Sequence, residues 1–228
     1  MKTIAAENHY HWEVNIGCHA RNPSNTRFGW EDAGMGCLVH SRIVLTTWTV
    51  WSKAADDRGR QSEVMVRIGE TEYPCQLGHG EKERNLAALV LARPACNAEG
   101  KPFKEFPSIA GQLPEPGQTL GVLLRQNLSH DLHGNGGSYV CYTFGQVSLL
   151  RGEKHLLYGL SGLEWQQTVH FGNAMFDPSG QLYGVTTHYL KSNFEIVPSV
   201  NAQTGYLVFS PLTVKLRQAA EEAIKLLK

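Results

Sequence analysis

The sequence predicts an all-β fold, either a sandwich or a barrel, and three observations support this prediction. Short segments rich in β-branched residues recur along the chain, among them residues 36–39, 43–47 and 63–68. They follow one another at intervals of roughly ten residues, with Gly, Pro or Asn in the turns between them. A proline-rich stretch over residues 93–118 separates two β-rich halves of similar size.

The other strands are predicted from the same pattern. In the first half, residues 85–91 form an apolar run that stops before Pro94. In the second half, the predicted strands cover residues 119–124, 138–144, 146–150, 181–188 and 205–209. Each segment is short and bounded by turn-forming residues, which is typical of all-β domains.

One helix is predicted, at the C-terminus. Ser210 has the side chain of a helix cap, and Pro211 suits the first turn. Beyond them, Leu212, Leu216 and further apolar residues recur at helical spacing between charged ones. We interpret this segment as a helix that packs over one barrel, and a helix that binds a separate partner is the alternative.

The charge balance argues against nucleic acid and anionic membranes as partners. Lys and Arg total 21, Asp and Glu also total 21, and no Lys/Arg-rich run is present. Binding to phosphates or anionic lipids rewards a basic surface. No stretch approaches ~18 consecutive apolar residues, and the first residues do not resemble a secretory signal. We therefore expect a cytoplasmic protein with no membrane span.

The cysteines and histidines give no strong metal motif. The five cysteines are odd in number and form no CxxC pair, so we expect free thiols in a reducing cytosol. A loop with His130, Asp131 and His133 has the spacing of two metal ligands. A strong site needs more ligands in a fixed geometry, so we interpret it as a polar loop. We expect no metal and no cofactor.

Three segments in order are similar to those of one known family. They are GMGCLV at 34–39 followed by VLTTWTV at 44–50, then NLAALVL at 85–91, and FGNAMFDPSGQLYGV at 171–185. They resemble the segments G-x-G-x-L-I…V-L-T-A-A-H-x-V, D-L-A-L-L-x-L and S-G-G-P…G-x-x-x-G-V of the trypsin-like (chymotrypsin-fold) serine peptidases. The resemblance implies a single domain with the two-barrel chymotrypsin-like fold. It implies a first barrel over 15–92, a connector over 93–118, a second barrel over 119–209 and a C-terminal helix over 210–228.

The residues that carry catalysis in that family are replaced in this sequence. Its mechanism needs a His base, an Asp that orients the His and a Ser nucleophile. The resemblance places Thr49 at the His position and Asn85 at the Asp position. The Ser position falls on Phe171 without a gap, or on Ala174 with a deletion. Because none of these side chains is a base near pH 7, we predict a pseudoprotease that is not an enzyme.

The alternative is an active peptidase whose nucleophile has moved. Ser161 follows Gly159-Leu160 and precedes a glycine, and Cys141, His170 and His188 lie in the same half of the chain. A nucleophile and its base are defined by geometry rather than by order in the sequence. The structural interpretation is that Ser161 is a turn residue and Cys141 a buried strand residue, with no role in catalysis.

Large aromatic residues surround the former catalytic positions. Trp48 and Trp51 flank Thr49, and the resemblance implies that Phe171 faces them across the cleft. They either fill the vacant site as core or form an anchor pocket for a protein partner, since Trp and Tyr are favoured at binding hot spots. An extended partner segment is also able to pair with an exposed strand edge.

The retained framework with replaced catalytic positions predicts a protein-binding scaffold or regulatory accessory protein. Degenerate domains of this family occur as accessory proteins in prokaryotic regulatory and defence operons. The chain resembles the trypsin-like accessory protein of type III-E CRISPR–caspase systems. That resemblance implies a protease-substrate protein and a sigma factor of the same operon as partners. A small-ligand or metal sensor that uses the Gly/His-rich loop is a third hypothesis.

Overall fold

The computed structural model of the chain describes most of its 228 residues. The described residues are 12–21, 28–55, 63–97, 99–127, 138–151, 156–161, 171–191, 196–197, 205–212, 215–216, 218–219, 222 and 225. The loop with His130, Asp131 and His133 therefore lies outside the described residues, and so does His170.

Six strands form the first barrel. They are β1 (Glu13–Arg21), β2 (Phe28–His40), β3 (Ile43–Thr46), β4 (Val64–Ile68), β5 (Thr71–Glu81) and β6 (Leu86–Leu91). All neighbours are antiparallel, and the order β1-β2-β3-β6-β5-β4 closes through the pairing of β1 with β4. Closure removes free strand edges, so every strand finds a hydrogen-bonding partner on both sides.

The second half of the chain forms another barrel. Its strands are β7 (Thr119–Asn127), β8 (Ser138–Arg151), β9 (Leu156–Ser161), β10 (Ala174–Phe176), β11 (Leu182–Lys191), β12 (Ile196–Val197) and β13 (Gly205–Pro211). The order β10-β7-β8-β9-β13-β11 closes because β10 also pairs with β11, and β12 is added to the end of β11. Within the described residues the strands thus form two closed six-stranded barrels, and the predicted all-β, two-barrel fold is confirmed.

The barrels share a buried core where they meet. In β6 every residue is buried, because Leu89 and Leu91 point into the first barrel while Leu86 and Ala88 face the second. From the other side the second barrel contributes the buried side chains Ala174, Phe176, Leu182 and Val185. Burial on both faces explains why the segment 85–91 reads as a continuous apolar run rather than an alternating one.

The proline-rich connector is tied to both barrels. Ala95 donates its N–H to the Ser41 carbonyl in the first barrel, at 2.6 Å. In the second barrel, Leu182 donates to Ser108 at 2.8 Å and accepts from Ala110 at 2.9 Å. These bonds hold the connector against both barrels.

A short helix, α1 (Trp48–Ala55), was not predicted from the sequence. Thr47 caps it: its hydroxyl accepts the N–H of Val50 at 3.1 Å, and its carbonyl accepts that of Trp51 at 3.1 Å. The β-branched and aromatic residues at its start favour strand, and the cap together with burial of Val50 and Ala54 outweighs that preference. Among the described residues, no helix has the length and apolar character needed to cross a membrane.

The C-terminal helix begins later than predicted. Ser210 and Pro211 belong to β13, and Ser210 pairs with Val185 of β11, so the prediction that Ser210 caps the helix was wrong. The sheet ladder satisfies the Ser210 backbone, which removes the need for a cap there. The described residues between 215 and 225 are helical, and Leu212 and Leu216 are buried in the core between the barrels.

We expect Leu216→Ala to lower the free energy of unfolding by about 2–5 kcal/mol, because this fully buried leucine would leave a cavity between the barrels. Lys215→Ala is the matched control, since its side chain is exposed on the same helix and its loss changes little. Urea unfolding of the two variants provides the comparison. Equal small effects would show that the helix does not anchor the junction.

Candidate active site

The predicted His and Asp positions form a helix cap. The Oδ1 of Asn85 accepts the backbone N–H of Thr49 and the Thr49 hydroxyl, both at 2.9 Å. Thr49 lies in the first turn of α1, where backbone N–H groups have no partner within the helix. Asn85 has φ 52°, a left-handed conformation that Asn tolerates well. These two side chains therefore stabilise α1, and neither titrates near neutral pH.

Phe171 lies in a loop held between the two barrels. Its carbonyl accepts the N–H of Met35 in β2 at 2.8 Å, and the following Gly172 donates its N–H to Thr186 in β11 at 2.8 Å. The Phe171 side chain is half-buried against the core of the first barrel. The loop approaches α1 through Gly34, where a Cβ atom would lie 2.7 Å from the Phe171 carbonyl and 2.6 Å from Val50.

Ala174 lies in a different environment from Phe171. It is the first residue of β10, and its side chain is fully buried in the core between the barrels. The Glu13 carboxylate of β1 accepts the Asn173 amide at 3.1 Å and the Ala174 N–H at 3.4 Å. Ala174 thus presents no group to the cleft. Which of the two residues occupies the family's nucleophile position stays a prediction from the sequence.

The two tryptophans beside Thr49 pack on the first barrel. Trp48 covers Gly80 of β5 so closely that a Cβ atom there would overlap its ring. Trp51 is half-buried against the same core cluster that Phe171 contacts. Binding of a partner by Trp48, Trp51 and Phe171 stays a prediction.

In the described residues, no displaced nucleophile predicted from the sequence lies within hydrogen-bond distance of a histidine. Ser161, at the end of β9, donates its hydroxyl to the Gln146 carbonyl at 3.4 Å. Strand β13 lies between β9 and β11, the strand of His188. Neighbouring strands are about 4.8 Å apart, which puts Ser161 and His188 about 10 Å or more apart at the backbone. The Cys141 side chain lies outside the described residues.

Two buried cysteines, Cys37 and Cys75, are poor nucleophiles. Burial raises the pKa of the Cys75 thiol to about 12, and the nearby Glu63 carboxylate adds to the effect. Burial, with a further contribution from Glu13, also raises the pKa of Cys37 well above its ordinary value. Because the thiolate is the reactive form, neither residue is reactive at neutral pH.

A cavity of about 620 Å³ lies between the turn that precedes β6 and the strands β9, β13 and β11. Its wall is partly apolar. The rings of Tyr158 and Phe209 pack there in a tilted arrangement, with their centres 5.8 Å apart. The lining residues are Glu83, Arg84, Asn85, Leu113, Leu157, Tyr158, Thr187, His188, Val208, Phe209, Ser210 and Pro211.

His188 is a fixed imidazole in this cavity. Its Nδ1 lies 3.0 Å from the Thr187 hydroxyl, which donates its own proton to the Val208 carbonyl at 3.2 Å. When the hydroxyl proton is directed to the Val208 carbonyl, the hydroxyl accepts Nδ1–H of His188, and that tautomer leaves Nε2 as an acceptor. Burial lowers the pKa of His188 from its ordinary value, so the ring is neutral at pH 7. A neutral, oriented imidazole is the chemistry of a general base.

Sequence analysis named His188 and missed the residues around it. Thr187 carries no motif, and its role follows from a bulge in β11 between Thr186 and His188. Ser210 was interpreted as a helix cap, although it lines the cavity. The turn with Glu83 and Arg84 reaches the cavity only because β6 packs against the second barrel. The Thr-Thr-His run in a predicted strand was the available signal.

No protein-family model and no curated protein sequence matches the chain. Among the solved structures that match, two align with nearly the whole chain. The Rv3671c protease from M. tuberculosis in its active form is 15% identical, covers 97% of this chain and 84% of its own, and has a TM-score of 0.57. A Ser-to-Ala mutant of Rv3671c in its inactive form is 16% identical, covers 99% and 92%, and has a TM-score of 0.53. At this identity the likeness establishes the chymotrypsin-like fold alone.

These comparisons correct the prediction that the chain is not an enzyme. The solved structures that it resembles are those of a protease, and one of them is the active form. Replacement of the three usual positions removes one triad and does not by itself show that a chain of this fold lacks activity. The pseudoprotease prediction was therefore wrong as a conclusion from the sequence.

We expect Asn85→Ala to lower the free energy of unfolding by about 1–3 kcal/mol, because α1 loses a cap and a left-handed residue gains strain. Asn85→Asp keeps the acceptor and places a negative charge at a helix N-terminus, so its stability stays within ~1 kcal/mol of the parent. Thermal unfolding monitored by circular dichroism compares them. Equal destabilisation by both changes would contradict the cap.

We expect Gly172→Ala to destabilise the protein more than Gly69→Ala does. Both glycines have positive φ, 89° and 58°, so both changes cost the backbone strain of about 1–3 kcal/mol. At Gly172 a Cβ would in addition overlap the Met35 carbonyl, whereas at Gly69 it meets nothing within 4 Å. The overlap adds about 1–3 kcal/mol. Equal denaturant midpoints would show that the loop is not clamped.

Proposed function

We propose that the chain hydrolyses peptide bonds at a site displaced from the usual triad positions, with His188 as the general base. One observation carries the proposal: a neutral imidazole, oriented through Nδ1 by Thr187, lines a cavity beside the junction of the barrels. The fold supports it, because the similar solved structures are those of a protease. The usual base position holds Thr49, which cannot take up a proton at neutral pH.

The cavity fits a peptide with an apolar side chain near the cleaved bond. Its volume of about 620 Å³ is in the usual range for ligand sites, and Leu113, Leu157 and Val208 supply apolar wall. Glu83 and Arg84 place one negative and one positive charge at the rim. A charged substrate side chain gains little from such a mixed pair, so apolar contacts set the preference.

The biological context stays a prediction from the sequence. We propose a protein as the partner or substrate, because the cleft of this fold accommodates extended chain segments. Placement in a type III-E CRISPR–caspase system rests on the resemblance alone, as do the protease-substrate protein and the sigma factor as partners. Cytoplasmic location rests on the sequence as well. A pull-down from the native host that returns neither protein would contradict this placement.

We expect the purified full chain to cleave a fluorogenic peptide library, with a preference for aliphatic or aromatic residues. His188→Gln should lower kcat by about 100-fold or more, since a general base contributes 10²–10⁴. His79→Gln is the control, because that imidazole lies on β5 of the first barrel, away from the cavity lining. Both variants should keep the parent's unfolding midpoint.

The rate should also depend on pH in one direction. The pKa of His188 is lowered from its ordinary value by burial, so the unprotonated base is present at neutral pH and is lost only at more acidic pH. We expect kcat to be flat between pH 7 and 8 and to fall as the pH drops further. An absence of cleavage from every preparation, or full activity in His188→Gln, would overturn the proposed function.

A further inference from the structure

We propose that Ser210 is the nucleophile of this displaced site, with His188 as its base and Thr187 as the positioning residue. The inference rests on the proposed function and goes further by assigning the residue that forms the covalent intermediate. It concerns two neighbouring strands, β11 and β13, that form one wall of the cavity.

The register of the two strands places Ser210 near His188. His188 is opposite Val208, and Ser210 follows Val208 by two residues, so all three side chains lie on the same face of the sheet. Diagonal neighbours of this kind have Cα atoms about 7–8 Å apart. A serine and a histidine side chain are long enough together to close that separation. Both residues line the cavity, so a substrate carbonyl there reaches the pair.

The Ser210 hydroxyl is available for reaction. The side chain is half-buried, and its oxygen has no hydrogen-bond partner in the part of the chain that the structure describes. By contrast, the Thr187 hydroxyl is buried and donates to the Val208 carbonyl. The Ser210 backbone is held by its pairing with Val185, with buried Phe209 before it and buried Leu212 two residues after it. The structure describes both Ser210 and His188 and shows no hydrogen bond between them, and the unpaired hydroxyl is able to turn to His188 Nε2 when substrate binds.

Thr187 completes the arrangement by holding the base. With its own proton directed to the Val208 carbonyl, its hydroxyl accepts Nδ1–H of His188, which restricts rotation of the ring and favours the tautomer with Nε2 unprotonated. The role is that of an orienting group without a negative charge. Because a hydroxyl stabilises an imidazolium less than a carboxylate does, the chain should be slower than a peptidase with an ordinary triad.

The reaction balances with the groups present and one water. The Ser210 oxygen attacks the peptide carbonyl carbon while its proton passes to His188 Nε2, and the carbonyl π electrons move to the oxygen. Collapse of this adduct breaks the C–N bond, and the amine leaves with the proton from Nε2. Water then attacks the ester through the same base, which releases the carboxylic acid and restores the Ser210 hydroxyl.

The experiment uses the full chain and a fluorophosphonate probe, which phosphonylates an activated serine with loss of fluoride. Mass spectrometry of the labelled protein should place the adduct on Ser210. The His188→Gln variant lacks the base and should not be labelled. Ser210→Ala should lower kcat by about 100-fold or more. Ser161→Ala is the matched control, because Ser161 is separated from His188 by β13, and it should keep the parent's rate.

A second pair of variants separates positioning from structure. Thr187→Val should lower kcat with little change in KM and move the pH profile, while Thr187→Ser should restore both. The other ionisable groups that line the cavity are Glu83, Arg84 and Tyr158. Glu83→Gln should leave the fall of kcat at acidic pH unchanged. That result would exclude the Glu83 carboxylate as its cause and assign the fall to His188. An unchanged profile in Thr187→Val would contradict the role of Thr187.

The outcomes distinguish this inference from the function on which it rests. If the chain cleaves peptides but Ser210→Ala stays active, or the adduct lies on another residue, Ser210 is not the nucleophile and the proposed function stands. If neither cleavage nor labelling occurs, both are overturned. Should Ser210→Ala unfold, Ser210→Cys serves instead: its thiol should react with iodoacetamide at least ~10-fold faster than in the double variant with His188→Gln.

Discussion

One hydrogen bond between the barrels, from the N–H of Met35 to the carbonyl of Phe171, holds the loop on which the candidate site depends. It joins β2 to the loop that precedes β10, and Gly172 makes it possible because no side chain fits against the Met35 carbonyl. With the loop held there, Phe171 packs on the first barrel and Asn173 reaches Glu13. The same constraint sets β11 in place through the bonds of Gly172 and Asn173 to Thr186, and β11 carries Thr187 and His188.

The predicted triad positions have structural roles. Asn85 accepts the backbone N–H and the hydroxyl of Thr49 at the start of α1. Phe171 adds apolar area to the core of the first barrel. His188 belongs to the second barrel, where it follows a bulge in β11 and lines the cavity.

Most of the fold was predictable because it depends on local patterns. The apolar runs at β3 and β6 and the alternation at β4 identify strands directly. Strands β1, β5, β9, β10 and β12 were not predicted. In β5, Pro74 and two glycines interrupt the pattern, and only closure of the barrel supplies its partners. Helix α1 was missed because its first residues favour strand. At the C-terminus Ser210 and Pro211 suit a helix start, and the long-range ladder with β11 outweighed that local signal.

The sequence by itself predicted the two-barrel class and named His188 as a candidate base. Both follow from residue type and order along the chain and from the resemblance of short segments. Only the tertiary structure decided that Asn85 caps α1, that Phe171 packs against the first barrel, and that Thr187, His188 and Ser210 line one cavity. Such a site is made by strand register and by packing between barrels. Register joins residues over 20 positions apart, and no local pattern encodes which of them face each other.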